Sequence, residues 1–418
     1  MRNVLVIGGG AAGMMAAVAA AEAGAAVTLL ERNEKPGKKL YITGKGRCNA
    51  TNDCTLEEFL REVPRNPRFL YSALTHFTPQ DMMAFLEAEN CPVTVQRGRR
   101  VFPSSEKASD VIRALQRAMA ERGVQVLLNT RVTGLLLENG VCAGVETEAR
   151  GQIRADAVIV ATGGLSAPAT GSTGDGYRFA EEAGLALVPR SPSLSALETA
   201  DSWPAQLQGL SLKNVTLTLT QGKKVLYREL GEMLFTHFGI SGPLVLELSC
   251  HLPADPKDCA VSLNLKPGLT PEQLDARLQR EFAAAPKKQL RSVLPALLPG
   301  SLAALFPALC GVSGETPCAQ VSRADRAALA RTLQDLPIRI QGLRPIDEAI
   351  VTRGGVSVRE INPATMACRR VPGLYFAGEV LDVDAHTGGY NLQIAFATGR
   401  LAGAHAALGE APSTKNEG

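Results

Sequence analysis

Gly8-x-Gly10-x-x-Gly13 is the stretch that most narrows what this chain can fold into. It follows the β-branched run of residues 4–7, the pattern of a buried parallel strand, and leads into alanine-rich helical sequence. A second strand pattern, residues 26–31, ends in Glu31, 18 residues past Gly13. Strand, glycine turn, helix, strand and acidic residue together are the dinucleotide fingerprint. The glycines permit a tight turn and close backbone approach, the helix N-terminus faces a pyrophosphate, and the carboxylate takes ribose hydroxyls. Gly8, Gly10, Ala11, Ala12, Gly13 and Glu31 are therefore the first expected cofactor contacts.

The competing reading is an export signal, since Arg2 precedes an uncharged run over residues 4–21. Four glycines within the six residues 8–13 suit an apolar signal helix poorly, and Glu31 has no place in one. The expectation is a cytoplasmic protein with no membrane partner. At 418 residues the chain exceeds one ordinary core, so two or three domains are expected. A hydrophobic content of 45% indicates a globular protein, and a net charge of +3 excludes a strongly basic coat for nucleic acid. The nine cysteines form no C-x-x-C pair and read as reduced thiols. Cys250, His251 and Cys259 lack a second cluster at zinc spacing, so no metal is expected.

Helical sequence over residues 106–122 precedes strand patterns across 124–161. Residues 373–380, GLYFAGEV, form a late apolar strand, and helix returns from 390 to about 408. One nucleotide-binding domain is thus assembled from both ends of the chain. Between them, LKNVTLTLT (212–220) sets Val215, Leu217 and Leu219 on one face and threonines on the other, a half-buried antiparallel strand. Strand-like pieces follow at 224–227 and 260–265, and 270–336 is helical with proline breaks. The last eight or so residues read as disordered.

A nicotinamide enzyme needs only the first βαβ unit. FAD enzymes add a strand ending of the kind Ala161-Thr162-Gly163-Gly164 and a late strand closed by Gly-Asp or Gly-Glu, here Gly378-Glu379. HTGGYNLQ (386–393) then opens the final helix, whose first N–H groups would stabilise negative charge at N1/O2 of reduced flavin. All of these occurring in order point to FAD.

These stretches, with GKKLYITGKGRCNATN (37–52), RVFPSSEKASDVIRAL (100–115), ATGGLSAPATGSTGDGYRFA (161–180) and GEMLFTHFGISGP (231–243), resemble the BaiN-type bacterial NAD(P)/FAD-dependent oxidoreductases, also described as aminoacetone-oxidase-like. The resemblance spans nearly the whole chain. It implies an α/β fold, α+β overall: a two-dinucleotide-binding-type FAD Rossmann domain (1–190 and 345–418), an inserted β-barrel-like domain (191–268 and 336–344) and a small helical domain (269–335). It implies three activities: reduction of a conjugated C=C in 3-oxo bile acid intermediates, reduction of a ribosomal RNA uridine, and oxidation of aminoacetone.

The resemblance also places Gly44, Gly46, Arg47, Cys48 and Asn49 beside FAD, with Lys38, Lys39 and Arg47 offsetting diphosphate charge. Val132, Ala161, Thr162, Gly163, Gly174, Asp175, Gly378, Glu379, Gly388, Gly389, Tyr390, Asn391 and Leu392 complete the expected cofactor set. Asp175 alternatively caps the helix that it precedes, and Cys48 reads as small packing rather than a redox thiol. His237, His386 and Tyr390 are the candidate proton donors, each with a packing or structural role as the alternative. Tyr41 reads the same way. Arg97, Arg99 and Arg100 form the densest basic cluster, suited to an NADPH phosphate or an RNA backbone, or else a solvated loop. With only one full G-x-G-x-x-G, NADH or NADPH is expected to dock transiently. The leading expectation is an FAD-dependent reductase of an electron-poor C=C in a small molecule. A ribosomal RNA dihydrouridine synthase, an amine oxidase and a non-catalytic flavin-binding protein are the alternatives.

Overall fold

The computed structural model describes residues 1–253 and 255–409. The expected disordered tail lies almost wholly outside the described residues. The chain divides into two compact units, one made of residues 1–193 and 345–418 and the other of residues 194–344.

The first unit is built on a five-stranded parallel sheet. From one edge to the other its strands are Leu374–Phe376, Ala157–Val160, Asn3–Ile7, Ala26–Leu30 and Gln125–Leu127. In register, Val4 stands beside Ala157 and Val158 beside Leu374. The two central strands are almost wholly buried, which is why they carry continuous apolar runs rather than alternating ones. Two helices pack tightly on this sheet. The first, Ala11–Glu22, is apolar nearly all round. The long helix, Tyr390–Leu408, lies against it so closely that a Cβ on Gly399 would stand 2.3 Å from Ala12 O, and one on Gly403 2.1 Å from Ala16 O. The alanines and glycines of both helices are there to permit that approach. A three-stranded antiparallel sheet (Val132–Glu138, Val141–Thr147, Gly151–Arg154) leads into Ala157–Val160.

In the second unit Ser211–Gln221 buries Val215, Leu217 and Leu219 and pairs antiparallel with Lys224–Thr236 and Cys259–Asn264. Seven strands form this sheet, and only Arg339 separates its two edge strands, Leu336–Ile338 and Ile340–Leu343. The chain itself therefore ties one edge to the other. Helices Pro271–Ala284 and Arg323–Gln334 open on capping boxes at Thr270 and Ser322, and their Leu274, Leu278, Leu329 and Leu333 share one core with the strands.

No described helix is long and apolar enough to cross a membrane, and no described group of three His, Cys, Asp or Glu side chains is placed to hold a metal.

Candidate FAD site

Each glycine of the fingerprint has its own reason. Gly8, at φ +104°, lies against the next strand's end, where a Cβ would meet Ala161 O at 2.6 Å; a Cβ on Gly13 would meet Gly8 O at 1.8 Å. Packing within the protein accounts for both. Gly10 is different: its φ of −82° suits any residue, and a Cβ there would meet nothing within 4 Å. The helix that it opens has no side-chain cap and no acidic residue in its first turn, so the N–H groups of Ala11, Ala12 and Gly13 are left for an anion. Glu31 is buried and holds the loop: Oε2 accepts Gly9 N–H at 2.7 Å, and Oε1 accepts Asn33 N at 2.8 Å and Nδ2 at 2.7 Å.

The 171–176 glycine motif packs on this same strand end. The space beside Gly171, Gly174 and Gly176 is taken by Asn33, Leu165 and Thr162. Asp175 begins the helix Asp175–Glu182 and accepts from Arg32 and Thr173, both at 3.1 Å. Val132, buried, opens its strand.

Gly378, at φ +79°, lies against the first helix, where a Cβ would stand 2.8 Å from that of Ala12. The adjoining Glu379 is fully engaged by the protein: Lys39 Nζ donates to Oε2 at 2.6 Å, and Ser166 Oγ and Thr352 N donate to Oε1 at 2.9 and 2.8 Å. Thr352 Oγ1 in turn accepts Leu165 N at 2.7 Å. This locks the turn that follows Ala161-Thr162-Gly163-Gly164, and Gly164 leaves no room for a side chain against Thr352. Fingerprint loop, strand-end turn and Gly378-Glu379 thus converge at one end of the sheet. Ser166 and Thr352 carried no sequence signal.

The three expected cations all have carboxylate partners. Lys38 pairs with Glu34 at 2.7 Å, Lys39 with Glu379, and Arg47 with Glu106 at 2.6 Å, its guanidinium also resting 4.3 Å from the Phe102 ring centroid. In the loop around Arg47, Gly44, Lys45, Gly46 and Cys48 all take positive φ. Cys48 is fully buried, and burial pushes its thiol up to about 12. It stays protonated and acts as packing rather than as a redox centre. Asn49 Oδ1 is a buried acceptor without a protein partner.

The turn at 386–389 is held from several sides. Asn391 accepts Ala385 N at 2.9 Å and donates to Ala385 O at 2.7 Å and His386 O at 3.2 Å. Gly389, at φ +100°, backs onto Thr51, whose carbonyl oxygen a Cβ would meet at 2.3 Å; its lack of a side chain is thus required by the protein itself. The helix beyond, with Tyr390, Asn391 and Leu392 in its first turn, has neither a side-chain cap nor an acidic residue there. His386, largely buried, is gripped by one residue twice: its backbone N donates to Glu62 O at 2.9 Å, and Nδ1 lies 2.9 Å from Glu62 Oε2. Around it Arg65 pairs with Asp384 at 2.5 Å, and Asn66 donates to Asp382 O at 2.7 Å. Tyr390 stands edge-on to Phe59, 5.1 Å between ring centroids. Residues 62–66 had no motif to announce them. His386 and Tyr390 therefore share the first unit with the glycine motifs. His237 belongs to the second unit, on the exposed turn after Lys224–Thr236, its ring against Phe238.

The residues fit FAD. Clear ground at Gly10, two uncapped helix N-termini and a free buried acceptor at Asn49 are what a diphosphate and an isoalloxazine ring need. A family model described as HI0933-like protein Rossmann domain matches residues 2–405. The chain is 33% identical over 405 residues to the ribosomal RNA dihydrouridine synthase of Escherichia coli (strain K12), covering 95% of this chain and 96% of that one. It is 32% identical over 390 residues to the 3-dehydro-bile acid delta(4,6)-reductase of Clostridium scindens, covering 92% and 94%. Among solved structures, the 3-ketosteroid-delta4-(5alpha)-dehydrogenase of Rhodococcus jostii RHA1 matches with a TM-score of 0.52, 16% identity and 97% of both chains, a likeness of fold alone. The chain belongs to the HI0933-like Rossmann family and is an FAD-dependent oxidoreductase.

Proposed function

We propose that this enzyme reduces a carbon–carbon double bond conjugated to a carbonyl, with NADH or NADPH as electron source and a small 3-oxo-Δ4-type enone, such as a bile acid intermediate, as substrate. The observation that carries the reading is one turn, 386–392, which combines an uncapped helix N-terminus with an imidazole fixed by Glu62. Bound FAD supplies the hydride chemistry. Gly8, Gly10, Ala11, Ala12 and Gly13 would take its diphosphate, Glu31 and Val132 its adenosine half, and Ala161, Thr162, Gly163, Gly174, Asp175 and Gly378-Glu379 would line the rest of its site. Lys38, Lys39, Gly44, Gly46, Arg47, Cys48 and Asn49 would flank the same cofactor, the three cations through their ion pairs with Glu34, Glu379 and Glu106, and Asn49 Oδ1 as an acceptor for it. The N–H groups of Tyr390, Asn391 and Leu392, presented beyond Gly388 and Gly389, would stabilise negative charge on the reduced flavin. His386 gives a proton to the substrate carbon that does not receive hydride, and Tyr390 is the second candidate for that step.

Anaerobic mixing with NADH and NADPH, then reoxidation by 3-oxo-Δ4 steroids, tests this. Failure of both nucleotides to bleach the flavin, or reoxidation by oxygen alone, sinks it; the latter points to an oxidase. A second reading, reduction of uridine in ribosomal RNA, is favoured by the 33% identity to a relative of that name. The uracil C=C is also conjugated to a carbonyl, so the same groups serve. Unchanged dihydrouridine in ribosomal RNA from a deletion strain excludes it.

A further inference from the structure

We infer that Arg97, Arg99 and Arg100 form a phosphate-docking rim at the mouth of this site, taking a phosphate carried by the hydride donor or by an RNA substrate. The inference rests on the reading above and adds a binding element to it.

The three arginines are exposed on a tight turn in which Gly98 takes φ +75°. A loop that merely solvates its charges needs no anchor, and this one has three. Asn52 is 2% exposed, and its Nδ2 donates both to Gly98 O and to Gly388 O, each at 3.0 Å. A single buried amide therefore ties the arginine turn to the turn that opens the long helix. Asp53 N donates to Arg99 O at 2.8 Å, and Arg100 Nε to Arg97 O at 3.0 Å, so the backbone of the turn is fixed from inside. Glu58 neutralises one of the three, pairing with Arg99 at 2.6 Å. Among the described residues Arg97 and Arg100 have no carboxylate partner. Two uncompensated guanidiniums, each a planar fork of donors, suit phosphate oxygens. The enone group itself has no use for two cations, and a single substrate carboxylate would occupy only one; the 2′-phosphate of NADPH and the backbone of RNA can engage both.

The test uses the FAD-loaded enzyme and the R97A/R100A double variant, with flavin content and melting temperature as the check on folding, both side chains being exposed. Equilibrium binding of NADP⁺ and NAD⁺ is one arm. Binding of a uridine-bearing RNA hairpin across about 50–200 mM salt is the other. A roughly tenfold loss of NADP⁺ affinity, with a smaller change for NAD⁺, assigns the rim to the donor. A fall in RNA affinity with a salt slope shallower by about 1 per arginine assigns it to RNA. The R97K/R100K variant keeps the charge and recovers most of the RNA slope but not the NADP⁺ preference. Unchanged binding in both arms overturns the inference. Failure of the functional reading looks different: wild-type enzyme that binds these probes yet reduces no conjugated C=C.

Discussion

Gly10 and Gly13 stand three residues apart at the start of the first helix, yet a methyl group would meet open ground at the first and Gly8 O at 1.8 Å at the second. Gly10→Ala should therefore fold to within about 1 kcal/mol of the parent, its φ suiting alanine although alanine is the poorer N-cap, but purify with much less FAD. Gly13→Ala should lose about 3 kcal/mol or more of stability to overpacking, visible in urea denaturation. Equal flavin content in Gly10→Ala and parent would remove the diphosphate from this loop. Glu62 holds His386 at both backbone and ring. Glu62→Gln should slow single-turnover reoxidation by substrate about 100-fold if His386 is the proton donor, with Glu62→Asp recovering part of the rate. An unchanged rate would move the proton transfer elsewhere, to Tyr390 first. Cys48, with its thiol pushed up to about 12, should resist alkylation in folded protein near neutral pH and react only on unfolding, which peptide mass spectrometry reads directly.

At the scale of elements, the first helix and the long helix touch through Ala12, Ala16, Gly399 and Gly403. Gly403→Ala would force them apart and should cost about 1–3 kcal/mol. Because both helices open at the FAD site, flavin retention should fall with stability; a variant that loses stability yet keeps full flavin would uncouple the two. The long helix also carries His405, whose pKa is lowered chiefly by burial and secondarily by the charge of His76. The folded protein then takes the proton later than the unfolded chain. Its contribution is present above the ordinary histidine value of 6.5 and is lost as pH falls through the window beneath it. His405→Gln should flatten the decline in urea midpoint over that window; an identical decline would assign it to other groups.

At the scale of the whole molecule, the expected FAD contacts all lie in the unit made of residues 1–193 and 345–418, and residues 194–344 have their own core. Calorimetry should therefore show FAD raising the transition of the first unit, by about 2.7 kcal/mol of added stability at a hundredfold excess over Kd. The transition of the second unit should move less. A single transition that shifts as one body would show that the two cores unfold together.

What the sequence determined alone was what short-range chemistry dictates. The fingerprint glycines, the alternation at 212–220 within Ser211–Gln221 and the helix over Tyr390–Leu408 were legible because side-chain period and turn geometry are local. So was FAD, from motifs whose order along the chain is itself the signal. Tertiary structure decided which charges meet. Lys38, Lys39 and Arg47 read as cations waiting for a diphosphate, and each has a carboxylate, in one case 340 residues away. Gly389 read as a glycine kept for the flavin, and the Thr51 backbone occupies the space a side chain would need. Glu62, Asn52 and Thr352 bear on the site only because distant segments fold against it. Coulomb and hydrogen-bond energies act over a few ångströms of space and take no account of distance along the chain, so no local pattern records them.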